Sequence, residues 1–326
     1  MNSISVTPND SGQRLNRVLE KLVPSLYPSL MHKYLRTKRI KVNGKRAEAS
    51  TRVFQGDEIQ LYIPDEFFSR SKTIPDFMRA SPKITVLYED DNLAVIYKPA
   101  GLLVHDDKLN FGDTLINRLL RYLHAKGEYD ARKTEGFTPS LCNRLDRGTA
   151  GIVLAAKNSA ALRELNVMLK ERLIDKYYLC VVISKPPKDG SYAAWIKKDT
   201  DRNIVSVHDK PVQGAKAIIT DLSTLGHANG LWLVEAKLVT GRTHQIRAHL
   251  RHLGCPILGD GKYGDGNVNR RHNISRQALT AYKIVFNPSV GPAEFPVLSY
   301  LDGKTIALET VWFAEQLFHR RPGSEK

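Results

Sequence analysis

Three cysteines in 326 residues are too few and too scattered to organise this chain. Cys142, Cys180 and Cys255 are odd in number and form no C-x-x-C pair, which argues against a disulfide framework or a zinc ribbon and for a reducing setting. Long apolar runs are missing as well. No segment approaches the roughly 18–20 residues that span a bilayer, so no membrane-spanning helix is expected. The start, Asn2-Ser3-Ile4-Ser5-Val6-Thr7, has no basic-then-apolar leader, and a cytoplasmic location follows as the expectation. Neither G-x-G-x-x-G nor G-x-x-x-x-G-K-[ST] occurs, which leaves a nucleotide cofactor without a foothold. H-E-x-x-H is absent too. His244, His249 and His252 have no Asp or Glu beside them, a poor ligand set, so no metal is expected. No repeat or low-complexity segment stands out.

Negative charge is scarce relative to its opposite. Against 49 Lys and Arg there are 34 Asp and Glu, a formal net charge of +15. Such an excess points to a polyanionic partner, nucleic acid before membrane, although a basic soluble surface would show the same balance. The length suits one large domain or two unequal ones, and 42% hydrophobic residues supply a sizeable core.

At the amino end, Leu15, Val18, Leu19 and Leu22 form a helical stripe that stops before Pro24. Pro28 and Ser29 open a second helix, with Leu30, Met31, Tyr34 and Leu35 apolar and His32, Lys33, Arg36 and Lys38 on its other sides. Ile40 and Val42 alternate with Arg39 and Lys41 and run into Asn43-Gly44, a two-residue hairpin turn. Ile59, Leu61 and Ile63 predict another strand. Arg36, Lys38, Arg39, Lys41, Lys45 and Arg46 fall in one short run without an acidic residue, which is either a solvated face or a phosphate-binding one. Residues 64–82 hold Pro64, Pro75 and Pro82 without a clear period and read as a linker, with Phe67, Phe68 and Phe77 placed to pack on a domain.

Beyond the linker, strands are predicted at 84–88 and 93–97, then at 152–156, 177–183, 215–220, Leu231–Leu238 and Leu279–Phe286. Asp113 is placed to cap a helix carrying Leu115, Ile116, Leu119, Leu120 and Leu123. Asn158 or Ser159 starts another with Leu162, Leu165, Leu169 and Leu173 inward. Residues 126–133 read as a mobile excursion, 309–318 as a last helix and 320–326 as a frayed end. Strands in pairs with inserted helices predict an α+β chain with a mixed, largely antiparallel sheet.

The stretch with most chemistry in it is Asn143-Arg144-Leu145-Asp146-Arg147-Gly148-Thr149-Ala150-Gly151. It sets one carboxylate between two arginines on a loop that feeds a buried strand, a rigid support for a reactive group. The same residues also suit an ordinary turn closed by a surface ion pair.

That stretch resembles the H-R-L-D-x-x-T-S-G signature of the RluA family of pseudouridine synthases, with Asn143 in place of the usual His and Ala150 in place of Ser. The resemblance continues in order through Lys98-Pro99-Ala100-Gly101-Leu102-Leu103-Val104-His105, Lys176-Tyr177-Tyr178, Gly241-Arg242-Thr243-His244-Gln245-Ile246-Arg247 and Pro256-Ile257-Leu258-Gly259-Asp260, and covers roughly residues 83 to 310. It implies an isomerase that needs no cofactor, cutting the N1–C1′ bond of a uridine and rejoining the base through C5. It also implies that Asp146 is the catalytic carboxylate and that Arg247 pairs with it, the guanidinium being able to grip a carboxylate by two bonds. Tyr178 would lie against the target base, and Arg144 would fill the gap left in the RNA when the uridine flips out. Read as residues alone, Arg247 is equally a surface helix charge and Tyr178 a core tyrosine.

Residues 12–63 resemble the S4 RNA-binding domain, which assigns RNA contact to Lys33, Arg36, Arg39, Lys41 and Lys45. The expected organisation is an S4-like domain over 1–63, a linker over 64–82 and a pseudouridine synthase domain over 83–326. The expected partner is RNA, foremost 23S ribosomal RNA or a precursor ribosomal particle, bound by a monomer. Transfer RNA as substrate, and a non-catalytic RNA-binding factor, are the alternatives. A hydrolytic glycosidase is a third, though it usually needs a second carboxylate.

Overall fold

The computed structural model describes residues 2–23, 25–68, 75–106, 112–131, 137–199, 204–287 and 294–319. Within them, apolar spacing decides which elements form. The stripe of Leu15, Val18, Leu19 and Leu22 becomes helix α1 (Leu15–Leu22), with all four side chains buried. Helix α2 (Pro28–Arg36) starts on its proline, whose fixed φ suits a first helical position, and buries Met31 and Leu35. Strands β1 (Asn2–Ser5), β2 (Ile40–Val42), β3 (Lys45–Arg46) and β4 (Glu58–Leu61) make a four-stranded antiparallel sheet in the order β1-β4-β2-β3. Asn43 (φ 50°) and Gly44 (φ 74°) turn the β2–β3 hairpin, both in the left-handed region as a primed turn requires. These elements share a core of their own around Leu15, Leu19, Ile40, Ile59 and Leu61.

The described ends of the 64–82 segment are packed. Phe67 and Phe68 lie on the amino-terminal core, while Phe77 is buried between His124 and Tyr129, each ring 5.6 Å away.

Strands β5 (Thr85–Glu89), β6 (Leu93–Lys98), β7 (Ser140–Leu141), β8 (Ala150–Ala156), β9 (Ile174–Val182), β10 (Gly190–Asp199), β11 (Ile204–His208), β12 (Lys216–Ala228), β13 (Leu231–Leu238), β14 (Leu279–Phe286) and β15 (Thr305–Ala307) form one eleven-stranded sheet. Its path runs β11-β10-β12-β13-β9-β14-β8-β6-β5, with β7 on β8 and β15 on β14. The β14–β8 pairing is parallel, and every other is antiparallel. The class is α+β with a mixed, largely antiparallel sheet, as expected. Helices α3 (Leu115–Ala125) and α5 (Gln245–His252) cover one face, and α4 (Ser159–Lys170) and α7 (Trp312–Phe318) the other. A short α6 (Gly266–Arg271) follows α5.

The central strand explains itself by alternation. Ile152, Leu154 and Ala156 of β8 face the α4 side, Val153 and Ala155 the α3 side, and all seven residues of the strand are buried. Each of its large aliphatic side chains contributes about 1.5–3 kcal/mol by leaving water. Gly151 (φ 126°) permits the parallel contact: a Cβ there would sit 2.2 Å from the Ala281 carbonyl oxygen. In β9, Leu179 and Val181 face the α4 side, whereas Tyr178, Cys180 and Val182 face α3 and α5.

Several expectations need correction. Thr114, not Asp113, occupies the cap position of α3. Asp113 instead grips Arg118 by both Nε (2.8 Å) and Nη2 (2.7 Å) and accepts the Ser81 amide (3.0 Å). The expected excursion over 126–133 is tied down at its start, since Lys126 and Lys157 both pair with Glu89 and Glu128, while 132–133 lie outside the described residues. The expectation for 320–326 also falls outside them. Strand β12 outruns its predicted end by way of an irregularity between Thr224 and Gly226, and β10 and β11 had no sequence forecast. Among the described residues no helix is long and apolar enough to cross a membrane.

Candidate active site

Asp146 sits on the loop between β7 and β8, and that loop is pinned at both ends. Asn143 accepts the Leu154 amide at Oδ1 (2.7 Å) and directs Nδ2 at the Ile152 carbonyl (3.5 Å), so an asparagine braces the loop against β8 through both ends of its amide. On the other side, the Arg147 carbonyl accepts the Gly101 amide (2.7 Å) and Nζ of Lys98 (3.2 Å). Lys98 is fully buried and also donates to the carbonyls of Pro99 (3.1 Å) and Leu102 (2.8 Å). Burial pushes its pKa down to about 8, against the upward pull of the Asp146 charge. Between the anchors Arg144 is exposed, Leu145 buried, and Asp146 partly buried with 26% of its side chain accessible.

Arg247 reaches this loop from α5. Gln245 rivets the start of that helix to β12: Oε1 accepts the Arg242 amide (3.0 Å) and the Thr240 hydroxyl (2.9 Å), and Nε2 donates to the Ile219 carbonyl (3.0 Å) and to Thr220 (3.1 Å). The helix start therefore turns Arg247 inward, with only 10% of its side chain accessible. It is not a surface charge. Its Nη1 donates to Oδ2 of Asp146 at 2.8 Å. Its Nε and Nη2 grip a second carboxylate, Asp260, at 2.7 and 2.9 Å. The two-bond grip expected on Asp146 is thus made on Asp260 instead. Burial alone would lower the Arg247 pKa, but the hydrogen bonds and charges of Asp260 and Asp146 hold it above its ordinary value, so it stays charged.

Two further rings close the site. Tyr178 lies in one apolar cluster with Leu145, Ala236, Ile246 and Ala281, and its pKa is raised first by burial and then by the charge of Asp146. His244, the left-handed residue (φ 54°) ahead of α5, places Nε2 3.8 Å from Oδ2 of Asp146 and Nδ1 2.9 Å from the Tyr263 hydroxyl. Burial lowers its pKa despite the pull of Asp146, which favours the neutral imidazole. His249 turns away to Thr220 (3.1 Å) and His252 to Asp209 (2.7 Å), so the three histidines converge on nothing. Among the described residues no group of three or more His, Cys, Asp or Glu could hold a metal ion.

With a cationic clamp on one loop carboxylate and a buried tyrosine nearby, the chain as a whole is similar to known proteins. Residues 92–252 match the family model described as RNA pseudouridylate synthase. The ribosomal large subunit pseudouridine synthase C of Rickettsia bellii is 37% identical over 266 residues, covering 78% of this chain and 84% of that one. An uncharacterized RNA pseudouridine synthase of Mycoplasma genitalium is 32% identical over 302 residues, covering 91% and 93%. The chain belongs to the RluA-type RNA pseudouridine synthases. As members of that family are isomerases, so is this protein. In fold it is similar to the solved structure of human RNA pseudouridylate synthase domain containing 4, with a TM-score of 0.55 at 23% identity over 70% of this chain and 89% of that one.

Of the residues singled out in the sequence of this synthase, the fold brings Asp146, Arg247 and Tyr178 together, with Arg144 exposed on the same loop. Lys33, Arg36, Arg39, Lys41 and Lys45 stand elsewhere, on α2, the link that follows it and the small sheet. Among the described residues none of these five has an ion-pair partner; Arg39 lies over the Tyr34 ring (5.8 Å) and Lys41 over that of Tyr62 (5.4 Å). The sequence reading missed His244 as a neighbour of Asp146, Asp260 as the main partner of Arg247, and the buried Lys98. All three lie inside motifs that were recognised, and that was the available signal.

Proposed function

We propose that the protein isomerises uridines in large-subunit ribosomal RNA, with Asp146 as the catalytic carboxylate, Arg247 as its charge partner and Tyr178 against the target base. The observation that carries this is the contact of Arg247 with Oδ2 of a loop carboxylate whose Oδ1 has no hydrogen-bond partner among the described residues. A charge kept at a half-sheltered site, with one oxygen free, suits a nucleophile or base toward the sugar or the uracil ring. The N1–C1′ bond breaks, the base turns, and a C5–C1′ bond forms. C5 then gives up its proton and N1 gains one, so atoms and charge balance without an external reactant.

A glycosidase would need a second, proton-active carboxylate. Asp260, which shares Arg247 with Asp146, is buried and taken up by donors, which argues against hydrolysis. Ribosomal RNA is favoured over transfer RNA by the names of the Rickettsia relatives. We read the amino-terminal 63 residues as an S4-like module whose unpaired basic residues grip phosphates, with 64–82 as linker and 83–326 as the catalytic domain. The whole works as a cytoplasmic monomer, and Arg144 occupies the gap left by the flipped uridine.

Pseudouridine mapping of ribosomal and transfer RNA tests the substrate, comparing cells that carry the native gene with cells carrying Asp146→Asn. Loss of particular pseudouridines from 23S RNA alone is the expected result. Loss confined to transfer RNA would overturn the assignment.

A further inference from the structure

Arg247 serves two carboxylates, and they are not held alike. Asp260 takes Nε at Oδ2 and Nη2 at Oδ1 (2.7 and 2.9 Å), the planar two-bond arrangement that fixes a guanidinium in space. Asp146 takes Nη1 alone. Asp260 is itself immobilised: the amides of Lys262 (2.8 Å) and Tyr263 (3.0 Å) donate to Oδ1, and Nε2 of Gln277 donates to Oδ2 (2.9 Å). Oε1 of Gln277 accepts the Thr149 hydroxyl at 3.1 Å, and the Thr149 amide returns to the Asp146 carbonyl at 3.1 Å. The contacts form a closed circuit, leaving the Asp146 loop through Thr149 and coming back through Arg247. Gly259 (φ 75°) makes it possible, because a Cβ there would lie 2.0 Å from the Arg276 carbonyl oxygen and force Asp260 away from Gln277.

We propose that Asp260 and Gln277 are positioning residues that orient Arg247 independently of Asp146 and thereby keep one oxygen of Asp146 uncommitted. The proposal rests on the reading of Asp146 as the reacting carboxylate. A guanidinium free to turn would grip both Asp146 oxygens, which is its strongest arrangement but ties down the atom needed for reaction. With its Nε edge occupied, Arg247 offers Asp146 a single bond. Two carboxylates also share one cation, so the charge on Asp146 is held without being cancelled.

The test uses the full-length protein with 15N-labelled arginine, the Arg247 Nε–H resonance being assigned by its absence in Arg247→Lys. In Asp146→Asn that proton should stay resolved and slow to exchange, because its acceptor is Asp260; in Asp260→Asn it should merge with the free arginines. In turnover of a uridine-containing RNA, Asp260→Asn should lower kcat by about 100-fold, the scale of a roughly 1 Å misplacement, with KM nearly unchanged. Gln277→Leu leaves both ion pairs intact and should lower kcat by about 3–10-fold with KM again unchanged, so the kinetic arm survives if Asp260→Asn does not fold. Wild-type kcat in Gln277→Leu, or loss of the Nε–H signal in an inactive Asp146→Asn, overturns the positioning proposal alone. Full activity in Asp146→Asn overturns the reading on which it rests.

Discussion

Removing the shared cation is the most informative single perturbation of stability. In Arg247→Met, the Asp260 carboxylate keeps Gln277 and two backbone amides but loses its counter-charge, at a place that water does not reach. Asp146 loses one bond yet stays 26% accessible, so solvent takes over part of the role of the arginine. Breaking a buried pair costs about 3–5 kcal/mol, and here nearly all of it falls on Asp260. Urea unfolding near neutral pH should therefore show a drop in stability of about 3 kcal/mol or more. Arg247 holds the Asp260 pKa below the ordinary carboxylate range against a burial effect that would raise it. Without the arginine, burial dominates and the native-state pKa rises above the unfolded value. The unfavourable charge is then relieved as pH falls through that raised pKa, and the deficit of the variant should shrink in acid. Adding Asp260→Asn to Arg247→Met should recover about 1–3 kcal/mol, whereas adding Asp146→Asn should recover well under about 1 kcal/mol. A larger rescue by Asp146→Asn, or a deficit below about 1 kcal/mol for Arg247→Met, would refute the reasoning.

Two further outcomes are expected. Lys98, with a native pKa of about 8 against 10.5 for the ordinary group, loses its proton earlier in the folded protein than in the unfolded chain. Between those values the unfolded chain binds more protons, so this residue adds stability as pH rises, about 2 kcal/mol from pH 7 to 9.5. The difference in stability between the native protein and Lys98→Met should grow by that amount, and a flat difference would reject it. Replacing Lys33, Arg36, Arg39, Lys41 and Lys45 by alanine should weaken RNA binding and flatten its log–log salt dependence by about 0.7 for each phosphate that is no longer neutralised, read by filter binding across a salt series. An unchanged slope would mean that this face does not meet RNA.

What the sequence makes legible here is whatever repeats locally. Strands β13 and β14 have the predicted bounds because apolar residues alternate through most of each, Trp232, Val234, Ala236 and Leu238 in one and Tyr282, Ile284 and Phe286 in the other. Asn158 caps α4 through its bond to the Ala161 amide (2.9 Å). Strands β10 and β11 went unforecast because β11 is the edge strand and β10 its neighbour, where much of each strand meets solvent and the alternation is weak. At α3, Asp113 looks like a cap by position, yet Arg118 one turn on offers it a stronger, charged partner. The site divides in the same way. Asp146 and Arg247 were legible as motif residues, 101 positions apart and now 2.8 Å from each other. The diversion of the Arg247 fork to Asp260 was not, because it depends on how a tight turn after α5 packs beside the strand entering β14. Nor was the approach of His244, which follows from one left-handed residue.

The central claim is that Asp146 drives an isomerisation and not a hydrolysis. It is tested by incubating the protein with large-subunit RNA carrying tritium at uridine C5. When C5 replaces N1 as the point of attachment, its hydrogen must leave to water, whereas hydrolysis frees uracil with the label in place. The expected result is tritium release matched by pseudouridine formation, without free uracil, and abolished in Asp146→Asn while that variant still binds the RNA. Free uracil as the main product, or undiminished tritium release by Asp146→Asn, would contradict the account.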